Sequence, residues 1–171
     1  MLTPRLALAA VGLDDVDDLV QLYADPEVGR WTGPWNRASV QDWAHSMSVR
    51  WAEDGVGKWM AYERATGSLV GRGGFTRIVL EAEPVLELGW VIHDALTGHG
   101  YATELGRAAL DWAAQHWPAL PIVAFTELHN YASRAVMERL GMLFTRVIWR
   151  EGLMEGHLGL HPDAPFALYR G

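Results

Sequence analysis

The stretch Leu96–Trp117, "LTGHGYATELGRAALDWAAQHW", decides the reading of the chain. It opens with Gly98, Gly100 and Ala102 on alternate positions, then sets Leu105, Ala109, Leu110, Trp112 and Ala113 on one face. That spacing predicts a helix from about Thr103 to His116. Glycine at a helix entry costs backbone entropy, so its use there calls for a geometric reason. The preceding "LELGWVI" (Leu86–Ile92) reads as a strand. A strand, a turn of small residues and a helix make an anion site, because the first helical turn has free N–H groups and a favourable dipole. The P-loop version is excluded, since Tyr101 and Ala102 follow Gly100 where Lys and Ser or Thr are needed. The dinucleotide fingerprint lacks its third glycine. The alternative is a tight strand-to-helix turn with no ligand.

A second junction follows about thirty residues on, in "ELHNYASRAVMERLGM" (Glu127–Met142). Here "PIVAFTEL" (121–128), short and nearly all apolar, reads as a central strand covered on both faces. A helix then runs through "ASRAVMERLG", with Gly141 as its C-terminal glycine. Asn130 is placed to cap that helix, and its side-chain amide is equally suited to pair with an amide of a ligand. Two neighbouring junctions, one of bare N–H groups and one with an amide, suit an extended ligand with phosphates at one end and amides along its arm. Coenzyme A has that layout.

Working outward, Arg5–Ala10 alternates as a strand. Val16, Leu19, Val20 and Tyr23 form one helical face, with Gly12 and Asp15 as caps and Pro26 as the stop. A tryptophan-rich loop, "GRWTGPWNRAS" (29–39), is expected next. Ser39 with Asp42 then predicts a capping box for a helix with Val40, Trp43, Ala44, Met47 and Trp51 inward, closed by Gly55 or Gly57. "KWMAYER" (58–64), "LVGRGGFTRI" (69–78) and "VLELGWVI" (85–92) read as strands, the first two separated by the turn "ATGS". "LFTRVIWR" (143–150) and "FALYR" (166–170) read as closing strands around a surface loop at 153–165. The order β-α-α-β-β-β-α-β-α-β-β describes one α/β domain over residues 1–171, with no internal repeat.

Composition narrows the function. The 171 residues carry a formal charge of −7, so a chain-wide basic footprint for nucleic acid is absent. An acidic surface mildly favours a cationic partner such as an amine. No cysteine is present, which excludes thiol nucleophiles and disulfides. Lys58 is the only lysine, against 13 arginines, and so the only candidate for lysine Schiff-base chemistry. No apolar run reaches membrane length. The N-terminus lacks a convincing apolar core and cleavage site, so a cytoplasmic protein without membrane association is expected. His157 and His161 are four apart, but Gly156, Gly159 and Pro162 place them on a loop, and no metal site is expected.

"ELGWVIHDALTGHGYATE" followed by "HNYASRAVMERLGM" resembles the GNAT superfamily of N-acetyltransferases, most of all its RimJ/RimL branch. "DPEV" (Asp25–Val28), "GKWMAYERATGSLVGRGGF" and the terminal "LYR" extend the resemblance over most of the chain. It implies a mixed, mostly antiparallel α/β (α+β) sheet with a splayed pair of strands and helices on both faces. It implies acetyl-CoA as co-substrate, no metal, and direct attack by an amine on the thioester. The acceptor is then a protein N-terminus or, alternatively, a small-molecule amine or antibiotic, and the molecule a monomer or homodimer.

Residue by residue, the resemblance implies that Trp90, Val91 and Ile92 receive the pantetheine arm and that Gly98, His99, Gly100, Tyr101, Ala102 and Thr103 hold the pyrophosphate. Asn130 contacts the pantetheine, and Arg134 reaches a phosphate. Glu87 is the candidate base, with Glu127 second, and the N–H of a bulge in the fourth strand is a candidate oxyanion donor. The wider superfamily often has a tyrosine acid seven residues after the asparagine; here that position is Met137, which leaves Ser133 as the nearest hydroxyl. Loss of that acid keeps open a CoA-binding sensor without turnover. Trp31 and Trp35 fall where the family builds its acceptor pocket.

Overall fold

A computed structural model describes residues 1–157 and 159–171. Its strands form one sheet in the order β1-β2-β3-β4-β5-β7-β6. The strands are β1 (Leu6–Ala10), β2 (Lys58–Glu63), β3 (Leu69–Leu80), β4 (Glu83–Ile92), β5 (Ile122–Glu127), β6 (Leu143–Leu153) and β7 (Leu160–Arg170). All neighbours are antiparallel except β4 and β5, which run parallel. The helices are α1 (Val16–Tyr23), α2 (Pro26–Thr32), α3 (Arg37–Glu53), α4 (Tyr101–His116) and α5 (Tyr131–Arg139).

The period-two alternation of the strands sorts their side chains between two helical layers. Trp59, Ala61, Val70, Phe75, Leu86, Leu88 and Ile92 pack with Leu105, Ala109 and Ala113 of α4 and Met137 and Leu140 at α5. Met60, Tyr62, Leu69 and Val91 pack instead with α1–α3, against Leu19, Leu22, Val28, Val40, Ala44 and Met47. Each fully buried leucine contributes about 1.5–3 kcal/mol. β5 is central, as its apolar run requires, lying between β4 and β7.

Three expectations need correction. Pro26 does not stop a helix; it begins α2 at the first position, where its fixed φ suits a helix and its missing N–H costs nothing. Much of the expected tryptophan-rich loop is therefore helical. α3 is capped one turn earlier than Ser39–Asp42 implied: Asn36 accepts from the Ser39 N–H, and Ser39 returns a bond to the Asn36 N–H. The closing strands are longer than expected, because β6 and β7 pair from Leu143↔Arg170 out to Leu153↔Leu160. Strand pairing thus absorbs much of the 153–165 loop, His161 included. Leu158, in that stretch, lies outside the described residues.

Candidate active site

The parallel strands β4 and β5 pair at Leu86↔Ile122 and Glu87↔Val123. Beyond Glu87 they diverge, while β4 keeps its register with β3 through Gly71↔Ile92. A wedge therefore opens towards the C-terminal ends of both strands, with α4 and α5 starting at its mouth and Glu87 at its vertex. A cavity of about 960 Å³ follows the wedge. It runs from the α4 N-terminus to a chamber under Glu27, Val28, Trp31 and Thr32 of α2 and Trp43 of α3.

Gly98, Gly100, Tyr101, Ala102 and Thr103 line one end. Gly98 has φ +77° and Gly100, the α4 N-cap, φ +81°, a left-handed conformation that glycine adopts without strain. Among the described residues, no backbone or side-chain acceptor takes the N–H groups from Gly98 to Thr103. The turn thus presents a run of free donors at a helix N-terminus, which fits a diphosphate. His99 takes a different part: its ring bonds the Thr97 carbonyl, its own carbonyl accepts from Arg5, and it does not line the cavity. Trp90, Val91 and Ile92 do line it, on the stretch of β4 that β5 leaves unpaired.

At the second junction, Asn130 is buried and its Oδ1 accepts from the Ser133 N–H at 3.1 Å, capping α5. The amide nitrogen is left for the cavity that Asn130 lines. Ser133 and Met137 also line it. Arg134 is not among the residues that line the cavity. Its Nε donates to Tyr169 Oη at 3.2 Å and its Nη1 to the Leu128 carbonyl at 3.0 Å, and these bonds turn the guanidinium away from the cavity.

At the vertex, Glu87 Oε2 lies 3.0 Å from Lys58 Nζ, with side chains 17% and 6% exposed. Lys58 also donates to the Gly74 carbonyl at 2.9 Å. Gly89 makes room for this pair: a Cβ there would stand 2.8 Å from Glu87 Oε1 and 3.2 Å from Lys58 Nζ. Burial pushes the Lys58 pKa down, and the facing Glu87 carboxylate opposes that shift. Glu127, buried at the end of β5, lines the cavity and accepts from Thr126 Oγ1 at 3.3 Å. β4 shows no register shift against β3, so the bulge expected in the fourth strand is absent.

The two loop tryptophans part company. Trp31 lines the chamber and stands 5.3 Å from the His129 ring, bridging α2 to the β5–α5 junction. Trp35 does not line it. It stacks on Tyr23 at 4.6 Å, meets Trp43 edge-on and donates Nε1 to the Thr32 carbonyl, so it fills the core beneath α1–α3. Asp25 fixes the chamber's roof: Oδ1 accepts from the Glu27 N–H and Oδ2 from the Asp94 N–H, each at 3.0 Å. This ties α2 to the β4–α4 connection.

Sequence reading missed the partnership of Lys58 with Glu87 and the presence of Arg72 on the same floor. The signal was the β2–β3 pairing, which sets Lys58 opposite Gly74 and Met60 opposite Arg72. Among the described residues, no group of three or more His, Cys, Asp or Glu is placed to hold a metal, and no helix is long and apolar enough to cross a membrane.

A mixed sheet split beside two helix N-termini, with a carboxylate at the split, is suited to a transferase whose donor carries a diphosphate and a reactive carbonyl. Residues 5–143 match the family model described as "Acetyltransferase (GNAT) domain", and the chain belongs to that family. It is 28% identical over 128 residues to the uncharacterized protein YkkB of Bacillus subtilis (strain 168), covering 74% of each chain. Its fold matches an acetyltransferase from Agrobacterium tumefaciens str. C58 with a TM-score of 0.78 and 27% identity, covering 100% of this chain and 92% of that one. A putative ribosomal-protein-serine acetyltransferase from Vibrio cholerae matches with a TM-score of 0.80 and 19% identity, over 99% and 95% of the two chains. The protein is an N-acetyltransferase that moves an acetyl group from acetyl-CoA to an amine.

Proposed function

We propose that the acceptor is the α-amine of a polypeptide in the cytoplasm, as in the RimJ/RimL branch, and that Glu87 and Ser133 carry the proton transfers. The supporting observation is the position of Glu87 at the wedge vertex, where the cavity from the free N–H groups of α4 meets the chamber under α2. The donor's diphosphate rests on Gly98–Thr103 and its pantetheine lies between β4 and β5, along Trp90–Ile92 and the Asn130 amide. The acceptor enters under α2 past Trp31. Glu87, directly or through one water, takes a proton from the bound ammonium, and the neutral amine attacks the thioester carbon. As the C–S bond breaks, Ser133, whose hydroxyl has no partner among the described residues, gives its proton to the departing thiolate and is reprotonated through water by the proton that the newly acylated nitrogen loses. Without cysteine, no thiol-bound intermediate forms. The open chamber and the ribosomal-protein acetyltransferase among its structural neighbours support a chain terminus as acceptor.

The test is CoA release from acetyl-CoA, measured with short peptides bearing free N-termini, the same peptides N-blocked, and a panel of small amines. Turnover confined to free N-termini is the expected outcome. Turnover confined to small amines moves the acceptor to that class. CoA binding without release to any amine identifies a sensor.

A further inference from the structure

The floor of the acceptor chamber carries a charge pattern that proton transfer does not use. Arg72 on β3 lines the chamber and sits on the same sheet face as Lys58, Glu87 and Val91. Its guanidinium is fixed from two sides. Nε donates to Tyr23 Oη at 2.6 Å, and the group lies 4.7 Å over the Trp43 ring. Among the described residues, its two terminal nitrogens have no hydrogen-bond or ion-pair partner.

A fixed guanidinium with a free fork is suited to a planar oxyanion, which it can bind through two parallel N–H bonds. Neighbouring charges do not satisfy it. Glu87 is held by Lys58 at 3.0 Å, and Glu27 on the roof lies 3.7 Å from Arg30. The floor therefore sets Lys58 and Arg72 beside Glu87 on β2–β4, with Glu127 facing the same cavity from the end of β5. Arg72 is close enough that its charge disfavours the Lys58 ammonium.

Resting on the acetyl-transfer reading, we propose that the acceptor is an amine bearing an oxyanion, carboxylate or phosphate, and that the Arg72 guanidinium binds it. Arg72 stands opposite Val91, four residues along β4 from Glu87. At the strand rise this is roughly 13 Å between the two backbone positions, shortened by the reach of the side chains. The anion is thus several bonds from the amine. It is an acidic side chain close behind an N-terminus, a C-terminal carboxylate of a short peptide, or a phosphate on a small amine.

Matched pairs test this: peptides with Asp or Glu against Asn or Gln in the second and third positions, dipeptides with free against amidated C-termini, and amino alcohols with and without phosphate. The expected result is a kcat/KM ratio of about tenfold or more in favour of the anionic member, expressed in KM. That ratio falls to near one in Arg72→Gln and is intermediate in Arg72→Lys, which keeps the charge and loses the fork. The pair type showing the ratio identifies the source of the anion. Melting of the CoA-saturated protein with each pair member supplies a readout free of turnover, and only the anionic members are expected to shift it, in wild type and not in Arg72→Gln. Turnover without anionic preference, or a preference that survives Arg72→Gln, overturns the inference and leaves acetyl transfer standing. Absence of turnover with any amine counts against the acetyl-transfer reading; the inference then falls if the melting shifts are equal within pairs.

Discussion

Replacing Lys58 by Met tests the vertex of the wedge through folding. The substitution keeps an unbranched side chain of similar length and removes the ammonium. It strands the Glu87 carboxylate, now without the cation at 3.0 Å, and frees the Gly74 carbonyl that accepted at 2.9 Å. Breaking a fully buried pair by deleting one partner costs about 3–5 kcal/mol. Glu87 is 17% exposed along the cavity, so water can follow and reduce that penalty. The expectation is about 2–3 kcal/mol, just below that range. The assay is equilibrium unfolding in urea, where m values of about 1–3 kcal/mol/M make this a loss on the order of 1 M in midpoint. The double variant Lys58→Met/Glu87→Gln is expected to recover part of the loss, because removing both charges leaves neither stranded. A cycle in which the two single changes simply add would refute the pairing.

Three further outcomes are expected. Acetyl-CoA at 100 times its Kd should stabilise the fold by about 2.7 kcal/mol; Gly100→Val, forced to φ +81° at the phosphate turn, should abolish the shift relative to its own unliganded melt. Glu87→Gln should lower kcat/KM at pH 7 by at least about tenfold and recover in part at high pH, where free amine is abundant, while Ser133→Ala should cost less with no such rescue; full activity in Glu87→Gln would pass the base role to Glu127. The Asp94 N–H above all, then the Glu27 N–H, hold the Asp25 carboxyl below its ordinary 3.8 against the opposing effect of burial. Its contribution is therefore complete above 3.8 and lost as pH falls through the lowered value. Urea melts of wild type and Asp25→Asn at pH 5, 4 and 3 should show a gap that closes downward, and a constant gap would contradict this.

Periodicity made most of the fold legible. Strand-like runs in β2–β4, the apolar run of β5 and the helical face Leu105–Ala109–Ala113 placed the sheet and α4, and the two junctions suggested an extended ligand before any geometry. The misses have physical causes. Pro26 is compatible with ending one helix or beginning the next, and the deciding contact, Asp25 with the distant Asp94 N–H, is tertiary. The β6–β7 hairpin carries Gly152, Pro162 and Pro165, residues that read as turn signals although pairing overrides them. Trp35 and Arg134 were placed by type and position, but their bonds to Thr32 and Tyr23, and to Tyr169, are set by packing that no local spacing encodes. Lys58, Glu87 and Arg72 lie on three strands, and only the registers bring them to one floor.

The two halves of the site differ in what holds them. The proposed donor half is mostly backbone: free N–H groups from Gly98 to Thr103, the unpaired edge of β4, and a single amide at Asn130. Such a site would require a turn conformation more than side chains, and a short run of small residues is enough to suggest one. Its charge comes from helix dipoles at the C-terminal ends of adjacent parallel strands, where open sheets gather their ligands. The acceptor half is entirely side chain: Glu87 and Lys58 at the vertex, Arg72 on Trp43, and Trp31 across the mouth. Glu87 belongs to both halves, because the last β4–β5 pair, Glu87↔Val123, is where the strands part. On the proposed assignment, the sheet's own geometry sets where the thioester carbon meets the amine. Substrate choice is left to residues that can change without closing the wedge.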